Sequence, residues 1–139
     1  VTAVATLYVA ASKTLAEWAS DVGLGRHVFR VGVADEAPDA IADALNATVV
    51  AGQSDWTILA HAPTTLAEDE AVARLAAKEK MVDPTYYPRI RGDRAVVKVT
   101  AANVANHLLV RAALDGREIA LPKPKAKDFG LYLMRNIQG

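Results

Sequence analysis

Phe29-Arg30-Val31-Gly32-Val33 and, about twenty residues before it, Leu7-Tyr8-Val9 are short runs of β-branched and aromatic residues. That composition favours a pleated, half-buried strand. Gly32 weakens a strand unless a bulge or a close neighbour needs the missing side chain. The two runs therefore predict paired strands with something pressed against the glycine. Under period-two alternation Arg30, between Phe29 and Val31, is expected to face solvent.

Working outward, residues 3–10 form the apolar first strand and residues 27–33 the second. Between them, Thr14-Leu15-Ala16-Glu17 has capping-box spacing, with Thr14 as cap and Glu17 reaching back. Leu15, Trp18, Ala19 and Val22 continue at helical spacing to a stop at Gly23. After the second strand, Pro38 suits a first helical turn, and Asp35, Glu36 and Asp39 suit its positive end. Ile41, Ala44 and Leu45 supply the buried face of that helix, which ends near Asn46.

Residues 55–62 read as a third strand between Gly52 and Pro63. A second capping box, Thr65-Leu66-Ala67-Glu68, opens a helix expected to run to about Met81. Residues 82–93 are irregular, marked by Asp83-Pro84, Tyr87-Pro88 and Gly92-Asp93. Residues 95–99 form a fourth strand, and Thr100 caps a helix with Val104, Leu108, Leu109 and Ala112 on its buried stripe. Asp115-Gly116 ends it. Leu121 to Lys127 reads as an extended, solvated tether, followed by a helix near residues 128–137 carrying Phe129, Tyr132, Leu133 and Ile137.

The expected fold class is α+β: a small, mainly antiparallel sheet of three to four strands flanked by helices. Residues 1–120 make the domain. Residues 121–139 are an appendage whose helix either docks back or mediates association, with Phe129, Leu133 and Ile137 as the apolar stripe of a homodimer contact.

The chain has 139 residues, enough for one domain with a real core. Hydrophobic residues reach 52% but aromatics only 6%, so alanine carries much of the apolar content and closely packed helices are expected. No apolar run approaches the roughly 20 residues of a membrane span, and Val1 to Ala5 lacks the basic flank of a signal peptide. Cysteine is absent, which excludes disulfides and thiolate metal sites. A cytoplasmic location fits these features. The zero net charge hides an asymmetry: residues 1–60 hold three basic and seven acidic side chains, net −4, leaving +4 on residues 61–139.

The order strand, short helix, strand, helix, strand, long helix, with these motifs upon it, resembles the phage-associated branch of the GIY-YIG nuclease superfamily over about residues 5 to 113. Leu7-Tyr8-Val9 matches its initial strand and Phe29-Arg30-Val31-Gly32 its aromatic-basic-aliphatic-Gly strand. Leu45-Asn46 matches the end of its helix, Glu70 its glutamate-bearing helix, and Arg91-Gly92-Asp93 its basic loop. In active members two tyrosines, an arginine and a metal-binding glutamate surround the scissile phosphate. The glutamate holds a hard cation, the arginine neutralises developing charge, and a tyrosine positions or deprotonates the nucleophile.

On that resemblance Tyr8, Arg30 and Glu70 are the catalytic candidates. The set is incomplete: the second tyrosine's position falls on Arg30, and no basic residue occurs between Arg30 and Arg74 to supply the helical arginine. Asp39 and Asp43 on that helix would repel a phosphate. Taken singly, Tyr8 reads as a half-buried strand aromatic and Glu70 as a solvated first-turn acid.

Arg89, Arg91, Arg94 and Lys98, with Tyr86 and Tyr87 nearby, form the nucleic-acid-binding candidate, since interleaved aromatic and basic side chains stack bases and neutralise phosphates. A charged loop with two packing tyrosines accounts for the same residues, and Arg91-Gly92-Asp93 is read as a turn. His27, His61 and His107 lack the i,i+4 spacing of a helical metal pair.

The leading expectation is a degenerate GIY-YIG-like module that binds DNA, RNA or a protein partner without cutting. An active divalent-metal-dependent endonuclease and a purely structural interaction domain are the alternatives. No cofactor is expected, with Mg2+ or Mn2+ held by Glu70 only if nuclease activity survives.

Overall fold

The computed structural model describes residues 5–118, 120 and 123–138. Five antiparallel strands form one open sheet in the order β3-β1-β2-β5-β4. These are β1 (Ala5–Ser12), β2 (Val28–Ala34), β3 (Trp56–Thr64), β4 (Lys80–Met81) and β5 (Val96–Lys98). Five α-helices join them: α1 (Lys13–Asp21), α2 (Pro38–Ala47), α3 (Glu68–Ala76), α4 (Ala101–Leu114) and α5 (Ala126–Gln138). The chain is thus the expected small α+β fold, with one strand more than the upper expectation. No helix among the described residues is long and apolar enough to cross a membrane.

The two opening runs pair with each other, Tyr8 opposite Gly32 and Val9 opposite Val31. Alternation sends Leu7, Val9, Phe29, Val31, Val97 and Val99 to one face, where α3, α4 and α5 cover them. It sends Tyr8, Ala10, Val28 and Val96 to the other, beneath Leu15 and Ala19 of α1 and Ile41 and Leu45 of α2. The central strands β1 and β2 are therefore covered on both faces. This explains why β1 reads as an unbroken apolar run instead of an alternating one.

Local signals act differently from expectation at two helix starts. The cap of α1 is Ser12, whose Oγ accepts from Leu15 N at 3.1 Å. Thr14 lies inside the helix, where its amide (3.0 Å) and hydroxyl (2.8 Å) both donate to Asp55, and Ser12 Oγ also donates to that carboxylate. The acid expected of Glu17 thus arrives from just before β3. Helix α3 begins at Glu68 after Ala67, which makes no side-chain cap, and it ends at Ala76, not Met81. The chain then turns and enters β4, a two-residue strand too short to leave a periodic signal. Thr100 caps α4 as expected.

Helix α5 lies against the core. Phe129, Leu133 and Ile137 are 2%, 0% and 1% exposed, so the stripe considered for a dimer contact is spent inside the molecule. Gly130 lets it approach β3: a Cβ there would sit 2.9 Å from Leu59 Cβ. Of the tether ahead of it, Leu121 and Pro122 lie outside the described residues, as do residues 3 and 4 of the expected first strand.

Candidate functional site

Tyr8 and Arg30 meet on the α1–α2 face of the sheet. Tyr8 lies opposite Gly32, and Arg30 two residues before that glycine projects to the same face. Arg30 Nη1 donates to the Tyr8 hydroxyl, and its Cζ stands 5.9 Å from the ring centroid. The missing side chain of Gly32 makes the room. A Cβ there would lie 2.5 Å from Arg30 Nη1 and 2.6 Å from Tyr8 Cζ.

Two carboxylates complete the cluster. Arg30 Nε donates to Asp93 Oδ2 at 2.8 Å, and Nη2 is 3.7 Å from Glu68 Oε1. Asp93 Oδ1 also accepts from Ala95 N at 2.8 Å, which holds the acid in place just before β5. Glu68 Oε1 accepts from Val33 N at 3.3 Å. The expectation that Arg30 faces solvent is corrected here. Its side chain is only 12% exposed, because the face it points to is covered too.

Glu70 does not join this group. It stands exposed in the first turn of α3. Two residues on a helix are about 200° apart, so the acid that reaches Arg30 is Glu68 and not Glu70. Asp93 was legible only as part of a turn, because its role depends on β5 lying beside β2.

The electrostatics of the cluster favour a neutral Tyr8 and a charged Arg30. Burial pushes the Tyr8 phenol up to about 12, Arg30 lowers it in part, and Glu68, Asp93 and Glu36 raise it further. At neutral pH the Tyr8 phenol therefore keeps its proton. Burial works against the Arg30 charge, but Tyr8, Asp93 and Glu68 outweigh it and raise its pKa. The guanidinium is thus charged, enclosed and already neutralised.

Glu70, the cation ligand the resemblance implies, stands exposed at the start of α3. Glu70 stands apart from Glu68, and the Glu68 carboxylate faces a guanidinium that would repel the ion. Among the described residues no group of three or more His, Asp and Glu side chains could hold a metal.

The basic candidates are arranged differently. Arg89 and Arg91 belong to the turn at Pro88–Ile90, and both are exposed, as is Arg94. Arg91 adopts a left-handed backbone (φ 52) and lies over Gly52, with its Nε 3.1 Å from where a Cβ would stand. Tyr86 is 77% exposed, whereas Tyr87 packs edge-on against Trp18 at 5.8 Å. Lys98 ends β5 directly opposite Lys80 of β4. Among the described residues none of these cations makes an ion pair; the only basic side chains that do are Arg30 and Arg117.

A separate cavity of about 360 Å³ lies at the end of the sheet, between Ala16 of α1, Leu59 of β3 and Phe129 of α5. His27 stacks on Phe129 there at 4.4 Å. Asp55 lines the same cavity, but its oxygens are taken by Ser12 and Thr14.

No protein-family model, curated protein or solved structure matches this chain.

Proposed function

We propose that this chain is a GIY-YIG-like module that binds nucleic acid without cleaving it. The observation that carries this reading is the contrast between Arg30 and the other cations. Arg30, the cation nearest a catalytic arrangement, is mostly enclosed and tied to Asp93, Glu68 and Tyr8. Arg89, Arg91 and Arg94 are exposed and make no ion pair among the described residues. A phosphodiester can be held by the second group, while nothing in the first is free to stabilise its transition state.

Two assays test the proposal together. Fluorescence anisotropy with labelled single- and double-stranded oligonucleotides should show binding that weakens as salt rises. Arg89→Ala/Arg91→Ala should weaken it. Supercoiled plasmid incubated with Mg2+ or Mn2+ should stay intact. Nicking that disappears in Glu70→Ala or Glu68→Ala would overturn the non-cleaving reading. Absence of salt-sensitive binding to any oligonucleotide would overturn the binding reading.

A further inference from the structure

Lys80 and Lys98 face each other across the antiparallel β4–β5 pair at the edge of the sheet. Directly opposed residues of such a pair hold their Cβ atoms about 5 Å apart, and like charges there repel. Sheet stability alone would disfavour two ammonium groups in this register. Lys78 joins them in lining a cavity of about 300 Å³, together with Glu79, Thr100 and Asn103.

The neighbouring acids do not compensate. Glu79 turns to α5, where its Oε1 accepts from the Tyr132 hydroxyl and, at 3.2 Å, from Asn136 Nδ2. Asp83 lies beyond the lysine pair, and its Oδ1 accepts from Thr85 N at 2.8 Å. Among the described residues neither acid forms an ion pair with a lysine. Three lysines against one glutamate leave the cavity positive, and the start of α4 adds a partial charge of the same sign.

On the other side of the same pair is a second hollow of about 350 Å³. Leu24, Met81, Val82 and Tyr87 are among its walls, and Lys80 and Lys98 line it as well. The pair is thus a positive ridge between a charged hollow and one of mixed character, with those side chains on its walls and the Asp83 carboxylate at its margin. A nucleotide unit has that same division, an anionic phosphate joined to a flat, weakly polar base.

We infer that the Lys80–Lys98 ridge, with Lys78, is the phosphate-holding site for single-stranded nucleic acid, a base being received in the hollow beside Tyr87. This rests on the nucleic-acid-binding reading and adds to the Arg89–Arg94 loop a contact at the sheet edge that carries the larger share of the phosphate charge. Single strands are favoured because only an unpaired base can leave its stack to enter a hollow.

The test is the salt dependence of binding to a short labelled oligothymidylate. It compares the wild-type chain with Lys80→Gln/Lys98→Gln and with Arg89→Gln/Arg91→Gln. Each phosphate contact contributes about 0.7 to the slope of log K against log salt for a single strand. The lysine variant should therefore lose about 1.4 from the slope, and more than the arginine variant. Its thermal midpoint should be equal or higher, because a repulsion has been removed.

An unchanged slope in the lysine variant overturns this site and leaves nucleic-acid binding standing. If wild type binds no oligonucleotide, pyrophosphate is titrated while the amides of Lys80, Lys98 and Thr100 are followed by NMR. Shifts confined to those amides uphold a phosphate site although the nucleic-acid reading has fallen; no shift overturns both. Should the lysine variant unfold, Lys80→Arg/Lys98→Arg must retain the wild-type slope, and failure to do so counts against the site.

Discussion

Replacing Gly32 with alanine should destabilise the protein, although alanine is normally the better residue in a strand. Gly32 has no left-handed backbone angle to preserve, so the substitution should gain about 0.4–1 kcal/mol by restricting the unfolded chain. Against that stands the Cβ, 2.5 Å from Arg30 Nη1 and 2.6 Å from Tyr8 Cζ. Both neighbours are held: Tyr8 is 2% exposed and Arg30 is bonded to Asp93. Overpacking of this kind costs about 1–3 kcal/mol. Pushing Arg30 off Asp93 adds part of the roughly 3–5 kcal/mol associated with a broken buried pair.

The net expectation is a loss of about 2–4 kcal/mol, a large share of the roughly 5–15 kcal/mol that holds a domain folded. Urea unfolding followed by circular dichroism gives the number. A double-mutant cycle with Tyr8→Ala identifies the cause, because the space the ring leaves lets Arg30 Nη1 shift, so Gly32→Ala should cost clearly less in that background. A Gly32→Ala cost that is absent, or equal in both backgrounds, would refute the proposed contact.

Asp93→Ala should cost about 2–3 kcal/mol in urea unfolding, because it leaves a largely enclosed guanidinium with only the more exposed Glu68 as counter-charge. Glu68→Ala, whose side chain is 45% exposed, should cost at most about 1 kcal/mol. Burial raises the Asp55 pKa, but hydrogen bonds from Ser12 and Thr14 more than offset this and leave it lowered. Its stabilisation is therefore complete above the unfolded carboxyl pKa near 4 and is lost as pH falls through the lower folded value. Asp55→Asn should flatten the acid limb of the urea midpoint measured against pH. Burial, then Arg26, lowers the His27 pKa, so the unfolded chain takes up that proton first and stability declines as pH drops below about 6.5. His27→Gln should reduce the decline between pH 7 and 5, and an unchanged slope would count against the burial.

The strands built on Leu7-Tyr8-Val9 and Phe29 to Val33 were legible because β-branched and aromatic runs bounded by turn residues carry their own signal. The close neighbour demanded by Gly32 is the Tyr8–Arg30 pair. Arg30 was placed on the correct face of β2 by alternation, yet in the wrong environment. Alternation says which way a side chain points and not whether another layer covers it. Glu68 and Glu70 share a helical turn, and choosing between them needed the helix start to within one residue, the least reliable quantity in a sequence. Asp93, Asp55 and the β4 register act through contacts more than ten residues away in the chain or through only two residues of strand. Local periodicity cannot register them.

The Ser12–Asp55–Thr14 contact also bears on the order in which the chain acquires its structure. The carboxylate that serves the first helix lies 41 residues downstream of the amide it accepts from. The Ser12 cap can form with its own turn, but the Asp55 contact that reinforces it must wait until β3 has been laid along β1. Completion of the α1 start and closure of the sheet edge therefore belong to one folding event. Substitutions at Asp55 should slow refolding in the same proportion as substitutions in the β1–β3 pairing. At its first helix the protein inverts the order of synthesis: an early segment is finished by a later one.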